Sequence, residues 1–308
     1  MPDRSSPIAV FAFNRPDHLR RSLQSLVACD GFGLGPVTLF CDGPRSDGDR
    51  EAVAATLDVA RDMLGSAADI RPAEQNRGIF QSVTQGVTAL IGDHGRVIVL
   101  EDDLVLAPAF LTFMNDALHV YADDPQVMQV SGYMFDVPEF AVRDTAVMLP
   151  FTSSWGWATW GRAWAQFDHE ATGWSALLRD RRRRRQFNLG GVYDYATMLR
   201  RQMTDDPRKW DWDIRWYLTV FRADGRVIFP PRSLVRNIGQ DGTGTHGRAL
   251  FRNFQGHLAA HGTTTRPIDA RAGAFTNEVW RPVQKAIWRQ NGGWLGSAVD
   301  VVKRALRR

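Results

Sequence analysis

The chain has 308 residues, 44% hydrophobic and 23% charged, with a formal net charge of +4. That length suits one large core or one domain with an extension, and the mild charge, without a long basic stripe interleaved with aromatics, excludes a nucleic-acid groove. Two cysteines, Cys29 and Cys41, make neither a disulfide framework nor a zinc set, so inert thiols in a reducing compartment are expected.

The N-terminal apolar run is too short for a signal peptide and is broken by Asn14-Arg15-Pro16, and no segment reaches the length of a membrane span, which together imply a cytoplasmic protein. That run, PIAVFAF at residues 7–13, is continuous, as a strand buried on both faces requires. NRPDHLRRSLQSLVAC follows with Leu19, Leu23, Leu26 and Val27 at helical spacing. PVTLFCD predicts a second strand ending at Asp42, and DREAVAATLDVARDML a second helix. ADIRPAEQNRGIFQSVTQGVTALI reads as a short strand, a polar loop and a helix, before RVIVLEDD at residues 96–103. Strand and helix alternate throughout, which predicts an α/β fold whose mostly parallel central sheet is flanked by helices.

In such sheets ligands gather at the carboxyl ends of the strands. Asn14 and Arg15, Asp42, the loop EQNRG with Asn76 and Arg77, and the triplet Glu101-Asp102-Asp103 each follow a predicted strand on that side. Three adjacent carboxylates repel one another and are costly to bury, so a positive partner is expected among them. Mg²⁺ or Mn²⁺ takes carboxylate oxygens and leaves most of its coordination to a substrate diphosphate, whereas zinc would want His and Cys nearby. No GxxxxGK[ST] loop and no GxGxxG after the first strand is present, so a P-loop NTPase and a dinucleotide-binding enzyme both lose support. A metal-bridged nucleotide diphosphate remains.

Transfer of a group from such a diphosphate to a hydroxyl would also need a base for the acceptor's proton. Asp211 and Asp213, set between tryptophans in KWDWDIRWYL, are the candidates. On a strand their spacing puts both on one face, and on a helix they diverge; alternatively both are acids at a helix N-terminus that complement its dipole.

Taken in order, PIAVFAFNRPDHLRRSLQSL, FCDG, QNRGIFQSVTQGV and VIVLEDDLVLAPAFLTFM resemble a GT-A glycosyltransferase, a Rossmann-like nucleotide-diphospho-sugar transferase. The likeness is to the bacterial family 2-like relatives of the N-acetylglucosaminyltransferase I group. It runs over roughly residues 7–248, with FTSSWGWATWGRAW, KWDWDIRWYL and PRSLVRNIGQDGTGTHG as further points of similarity. The resemblance implies that the EDD triplet is a form of the DxD motif. Asp103 would touch Mn²⁺ or Mg²⁺, Glu101 and Asp102 the ribose and donor sugar side, Asp42 the uracil, and Asn14-Arg15 the nucleotide. It selects Asp213 as the base, packs Trp212 against the donor sugar, and places Thr245-His246-Gly247 where the family closes its loop with Ser-His-Gly. It further implies inversion at the anomeric carbon, a hexosyl or N-acetylhexosaminyl donor carried on UDP, UDP-GlcNAc among the candidates, and an acceptor in a bacterial surface glycan or its lipid-linked precursor.

Other segments are open to two readings. Trp155, Trp157, Trp160 and Trp164 serve as an aromatic wall or simply as core. NIGQDGTGTHG, with four glycines, is a lid whose Thr243, Thr245 and His246 close on phosphates, or a mere connection. The expected division is a catalytic domain over 1–248 and an extension over 249–308. The basic amphipathic end of that extension, from about residue 295, suits packing on the domain or peripheral contact with an anionic membrane at the inner face of the cell membrane. The five arginines at residues 181–185 could add to that contact or form a solvated face. A sugar-nucleotide nucleotidyltransferase and a non-catalytic glycan-binding module are the rival functions.

Overall fold

Each of the first four predicted strands forms in the computed structural model, which describes residues 5–204, 210–241, 258 and 275–291. They are β1 (Ile8–Ala12), β2 (Val37–Cys41), β3 (Ala68–Pro72) and β4 (Arg96–Glu101), separated by helices α1 (Pro16–Val27), α2 (Arg50–Leu64) and α3 (Gly78–His94). After β4 come β5 (Leu104–Leu106), α4 (Phe110–Val120), β6 (Val127–Ser131), β7 (Val147–Leu149), β8 (Trp157–Trp160) and α5 (Gly161–Trp164). A helical stretch follows, α6 (Trp174–Arg179), α7 (Arg181–Phe187), α8 (Tyr195–Thr204) and α9 (Asp213–Arg222), then β9 (Arg226–Phe229), β10 (Val235–Asn237) and α10 (Asn277–Gln290).

Eight strands form one sheet in the order β3-β2-β1-β4-β8-β6-β9-β7, and β10 pairs with β5 in a separate two-stranded sheet. Following the ladders across, six strands run one way and β7 and β8 run against them. The parallel half, β3 to β4, is the one legible as alternating strand and helix, because parallel neighbours need a crossover helix. The other half is joined through antiparallel ladders at β8 and β7.

Period-two alternation splits the core into two layers. From β1, Ile8, Val10 and Ala12 face the layer of α1, α2 and α4, while Ala9 and Phe11 face the layer of α3 and the later helices. In β4, Ile98 and Leu100 go to the first layer, and Val97 and Val99 to the second. Helix α1 meets the sheet through Leu19, Leu23 and Leu26, as its spacing predicts, whereas Val27 is 42% exposed. Strand β3, at the edge, is only partly buried and ends in Pro72, which blunts it against further pairing.

The tryptophans settle as core. Trp157, Trp160 and Trp164 are buried, and Trp155 is half-buried against Tyr133 with ring centroids 4.6 Å apart. Both cysteines are buried free thiols, and burial pushes each up to about 12. Helix α10 belongs to the same body: Val283, Ala286 and Ile287 are fully buried in the second layer, and Gln284 Nε2 donates to Leu189 O at 2.8 Å. The expected boundary at residue 248 and the basic end from residue 295 lie outside the described residues. Among the described residues no helix is long and apolar enough to cross a membrane.

Candidate active site

The four polar strand ends converge. Strands β2, β1 and β4 are consecutive and parallel, so Asp42, Asn14 and Arg15, and Glu101 to Asp103 emerge side by side at the same rim. Beyond β4 the chain doubles into β5, and β10 lies antiparallel on it with Asn237 opposite Leu104. That pairing brings the segment after β10 back over the acids.

The expected positive partner is Arg15. Its Nη2 donates to Asp102 Oδ1 and, at 2.9 Å, to Asp103 Oδ2. Burial works against the guanidinium's charge, but the two carboxylates outweigh it and raise its affinity for its proton. Asp102 also accepts from Phe13 N at 3.4 Å. Its burial nevertheless pushes it up to about 6, with Arg15 opposing and Asp103 adding. On the open side of Asp103, Asn237 Nδ2 donates to Oδ1 at 3.4 Å and Ile238 N to the backbone carbonyl at 2.8 Å. Gly239 sits directly over this pair. A side chain there would run into the Asp103 carboxylate and come within 2.9 Å of Arg15 Nη1, so only glycine lets the backbone pass. His18 Nε2 of α1 lies 3.1 Å from Asp241 Oδ2 and fastens the same segment from the other side.

Glu101 belongs to a larger acidic group. Burial raises its pKa well above the usual carboxylate range, and Asp103, Asp211, Asp102 and Asp213 add to the effect. The rim acids and the two acids at the start of α9 therefore share one field. A carboxyl whose folded pKa is raised costs nothing below its unfolded value near 4.3, and its cost grows as pH climbs from there through the raised folded value. Glu101→Gln removes that cost. The variant is expected to gain about 1 kcal/mol near pH 7.5, roughly 2–4 °C in Tm, and the gain fades toward pH 4. Thermal melts at the two pH values check it; a variant less stable than the parent at pH 7.5 overturns it.

Asp213 is the first residue of α9 and Asp211 lies two residues before it, so neither is on a strand and both lie at the helix N-terminus. Asp213 Oδ1 accepts from Ile214 N at 2.5 Å and Asp211 Oδ1 from Trp212 N at 2.8 Å. Gln202, at the end of α8, accepts from Asp211 N through Oε1 at 2.6 Å and orients that turn. Both acids remain partly exposed.

Two of the residues expected to meet the donor are engaged within the protein. Asp42, expected to read uracil, has all four acceptor positions filled: Oδ1 takes Gly43 N and Arg77 N, and Oδ2 takes Asn76 Nδ2 and Gly78 N, at 2.8–3.0 Å. It is buried and holds the loop at the start of α3. Asn76 spends its amide nitrogen on Asp42 and Gly43 O, while Arg77 is exposed at the rim with Nη1 on Gln85. Trp212, expected against the donor sugar, is 1% exposed and stacked on Trp157 with centroids 4.7 Å apart, packed within the aromatic core.

Asn14 is half-buried at the rim, its Nδ2 on Asp49 Oδ1 at 3.0 Å; Asp49 is also gripped by Arg45 and held down at about 2. Thr245 and His246 lie outside the described residues. Asn237, Gly239, His18 and Gln202 were missed in the sequence, where only the glycine of the loop gave a signal.

No protein-family model matches the chain. Among solved structures it is similar to TarS 1–349 from S. aureus, with 13% identity over 75% of this chain and 59% of that one, at a TM-score of 0.43. It is also similar to a mannosyltransferase from Pyrobaculum calidifontis in complex with GDP-Man and Mn²⁺, with 14% identity over 73% and 75% at a TM-score of 0.37. A third is glucosyl-3-phosphoglycerate synthase from Mycobacterium tuberculosis in complex with Mn²⁺, UDP and glucosyl-3-phosphoglycerate, with 13% identity over 53% and 58% at a TM-score of 0.33. The chain thus spans less than two thirds of the length of the TarS fragment.

Proposed function

We propose that this chain is a GT-A glycosyltransferase, metal-dependent and inverting. In this reading it moves a hexose or N-acetylhexosamine from a UDP-sugar, UDP-GlcNAc among the candidates, to a hydroxyl of a bacterial surface glycan or lipid-linked precursor. The supporting observation is the acid pair Asp102 and Asp103, bridged by Arg15 at the carboxyl ends of parallel strands, within the field of a second acid pair at the start of α9.

Asp103 offers hard oxygen. Among the described residues no three or more His, Cys, Asp or Glu side chains form a cage for a metal ion. That donor set fits Mn²⁺ or Mg²⁺ taking most of its oxygens from a diphosphate and water, with Asp103 as the protein's contribution. Such an ion supplies Lewis-acid stabilisation to the departing diphosphate. Arg15 adds a fixed positive charge beside the same group. Asp213 takes the acceptor's proton as the new C–O bond forms and the bond to the diphosphate breaks, with Asp211 as the alternative base. Gly239 and the backbone after β10 cover the acids and keep water from the donor.

Incubation with a panel of UDP-sugars, with and without Mn²⁺, tests the reading: UDP release that needs Mn²⁺ is expected. Pyrophosphate release would make the chain a nucleotidyltransferase, and sugar binding without either product a glycan-binding module. Asp103→Ala is expected to abolish Mn²⁺-dependent UDP binding by calorimetry with little change in Tm, because it also removes one of several clustered anions. Parental binding of UDP and Mn²⁺ in that variant overturns the metal assignment.

A further inference from the structure

On the helical layer a second cationic feature stands apart from the rim. A cavity of about 300 Å³ is lined by Trp174, Ser175, Leu178 and Arg179 around α6, Arg184 of α7 and Arg200 of α8. Its size is at the lower end for small-molecule sites. Arginines from three helices line it, and among the described residues no carboxylate does.

The nearby acids are committed elsewhere. Asp180 caps α7 by accepting from Arg182 N and Arg183 N, and Asp194 accepts from Asn188 Nδ2, Thr197 N and Thr197 Oγ1. Asp168 takes Thr172 N and Arg222. Arg184 is set in place by the bond from Nη1 to Leu178 O at 3.2 Å, and its neighbours turn away: Arg183 stacks over Phe221 at 5.0 Å and Arg185 Nε donates to Gly190 O. Among the described residues no acid pairs with Arg179 or Arg200, both exposed. Three arginines lining one cavity, with no counter-charge paired to Arg179 or Arg200 among the described residues, match the oxygens of a phosphate or diphosphate, which accept forked hydrogen bonds. The Trp174 indole and Leu178 supply an apolar wall beside them, suited to the organic substituent of a phosphate ester.

We propose that this cavity is a binding site for a phosphate-bearing anion carrying an apolar substituent, separate from the rim of β1, β2 and β4. The phosphate belongs to an anionic lipid headgroup or to a soluble phosphate ester, and the same guanidiniums serve either.

The test titrates inorganic pyrophosphate into the full chain by calorimetry. Saturable one-to-one binding at the cavity is expected, and Arg179→Gln with Arg200→Gln weakens it about 100-fold, roughly tenfold for each guanidinium removed. Arg181→Gln with Arg182→Gln removes the same charge from exposed positions that do not line the cavity, and is expected to keep parental affinity. No saturable binding overturns the proposal. So does equal binding by the cavity pair and the parent, or an equal loss in the control pair, which would reveal only a diffuse basic field. Sedimentation with phosphatidylglycerol vesicles, absent with phosphatidylcholine, lost in the cavity pair and competed by pyrophosphate, assigns the anion to a lipid headgroup. Pyrophosphate binding without vesicle binding assigns it to a soluble ester. Neither arm depends on UDP-sugar transfer, so the site and the transferase reading fail separately.

Discussion

Asp213→Asn is expected to lower kcat by about 10²- to 10⁴-fold while UDP-sugar affinity stays near parental, the loss typical of removing a general base. The amide oxygen can still accept from Ile214 N, as Asp213 Oδ1 does, so the start of α9 keeps its geometry and the change isolates proton transfer from positioning. Asp211→Asn should cost less. Its own N–H is tied to Gln202 Oε1 of α8, so part of its role is to shape the turn. Steady-state kinetics together with donor calorimetry separate the two. Unchanged turnover in Asp213→Asn removes the residue from the mechanism, and the reverse ranking transfers the role to Asp211. A fall in donor affinity that matches the fall in kcat/KM would make Asp213 a binding group.

The rim was legible because it depends on strand ends, and strand ends are marked where an apolar run stops at polar residues. Parallel order then brings Arg15, Asp42 and Asp103 together whatever their separation in sequence. The direction of each side chain was not legible. Asp42 looks in sequence like any rim acid, yet four local donors from residues 43 and 76–78 turn it inward. Arg15 answers the question of what neutralises the acid triplet, but its reach across to Asp102 and Asp103 depends on the β1–β4 ladder. The β10–β5 pairing that carries Asn237 and Gly239 over Asp103 joins residues more than a hundred positions apart through three-residue strands, too short to show a period. The antiparallel strands β7 and β8 escaped for the same reason, and Trp157 to Trp160 also carry the heavy aromatic side chains that fit a wall or a core equally well.

Trp212→Ala is expected to destabilise the chain by about 3–5 kcal/mol, the cost of truncating a large buried aromatic, and to lower Tm by on the order of 10 °C. The indole is 1% exposed and lies against Trp157 at 4.7 Å with an interplanar angle of 23°. Trp157 in turn packs on Trp164 and Trp216 at 5.9 and 6.4 Å, and Trp216 Nε1 donates to Gln129 Oε1 at 2.7 Å. Removing Trp212 therefore opens a cavity in a tightly packed aromatic stack directly beneath Asp211 and Asp213. Trp212→Phe keeps most of the stack and should recover most of the stability. The pair of variants discriminates between the two roles this residue can have. If the indole serves only the core, donor affinity measured well below the lowered Tm stays parental in both variants, and any fall in turnover follows the loosened position of Asp213. If it touched the donor sugar, Trp212→Phe would lose affinity out of proportion to its small loss of stability. That second result would require the start of α9 to open when donor binds, because the closed stack leaves the indole no free face.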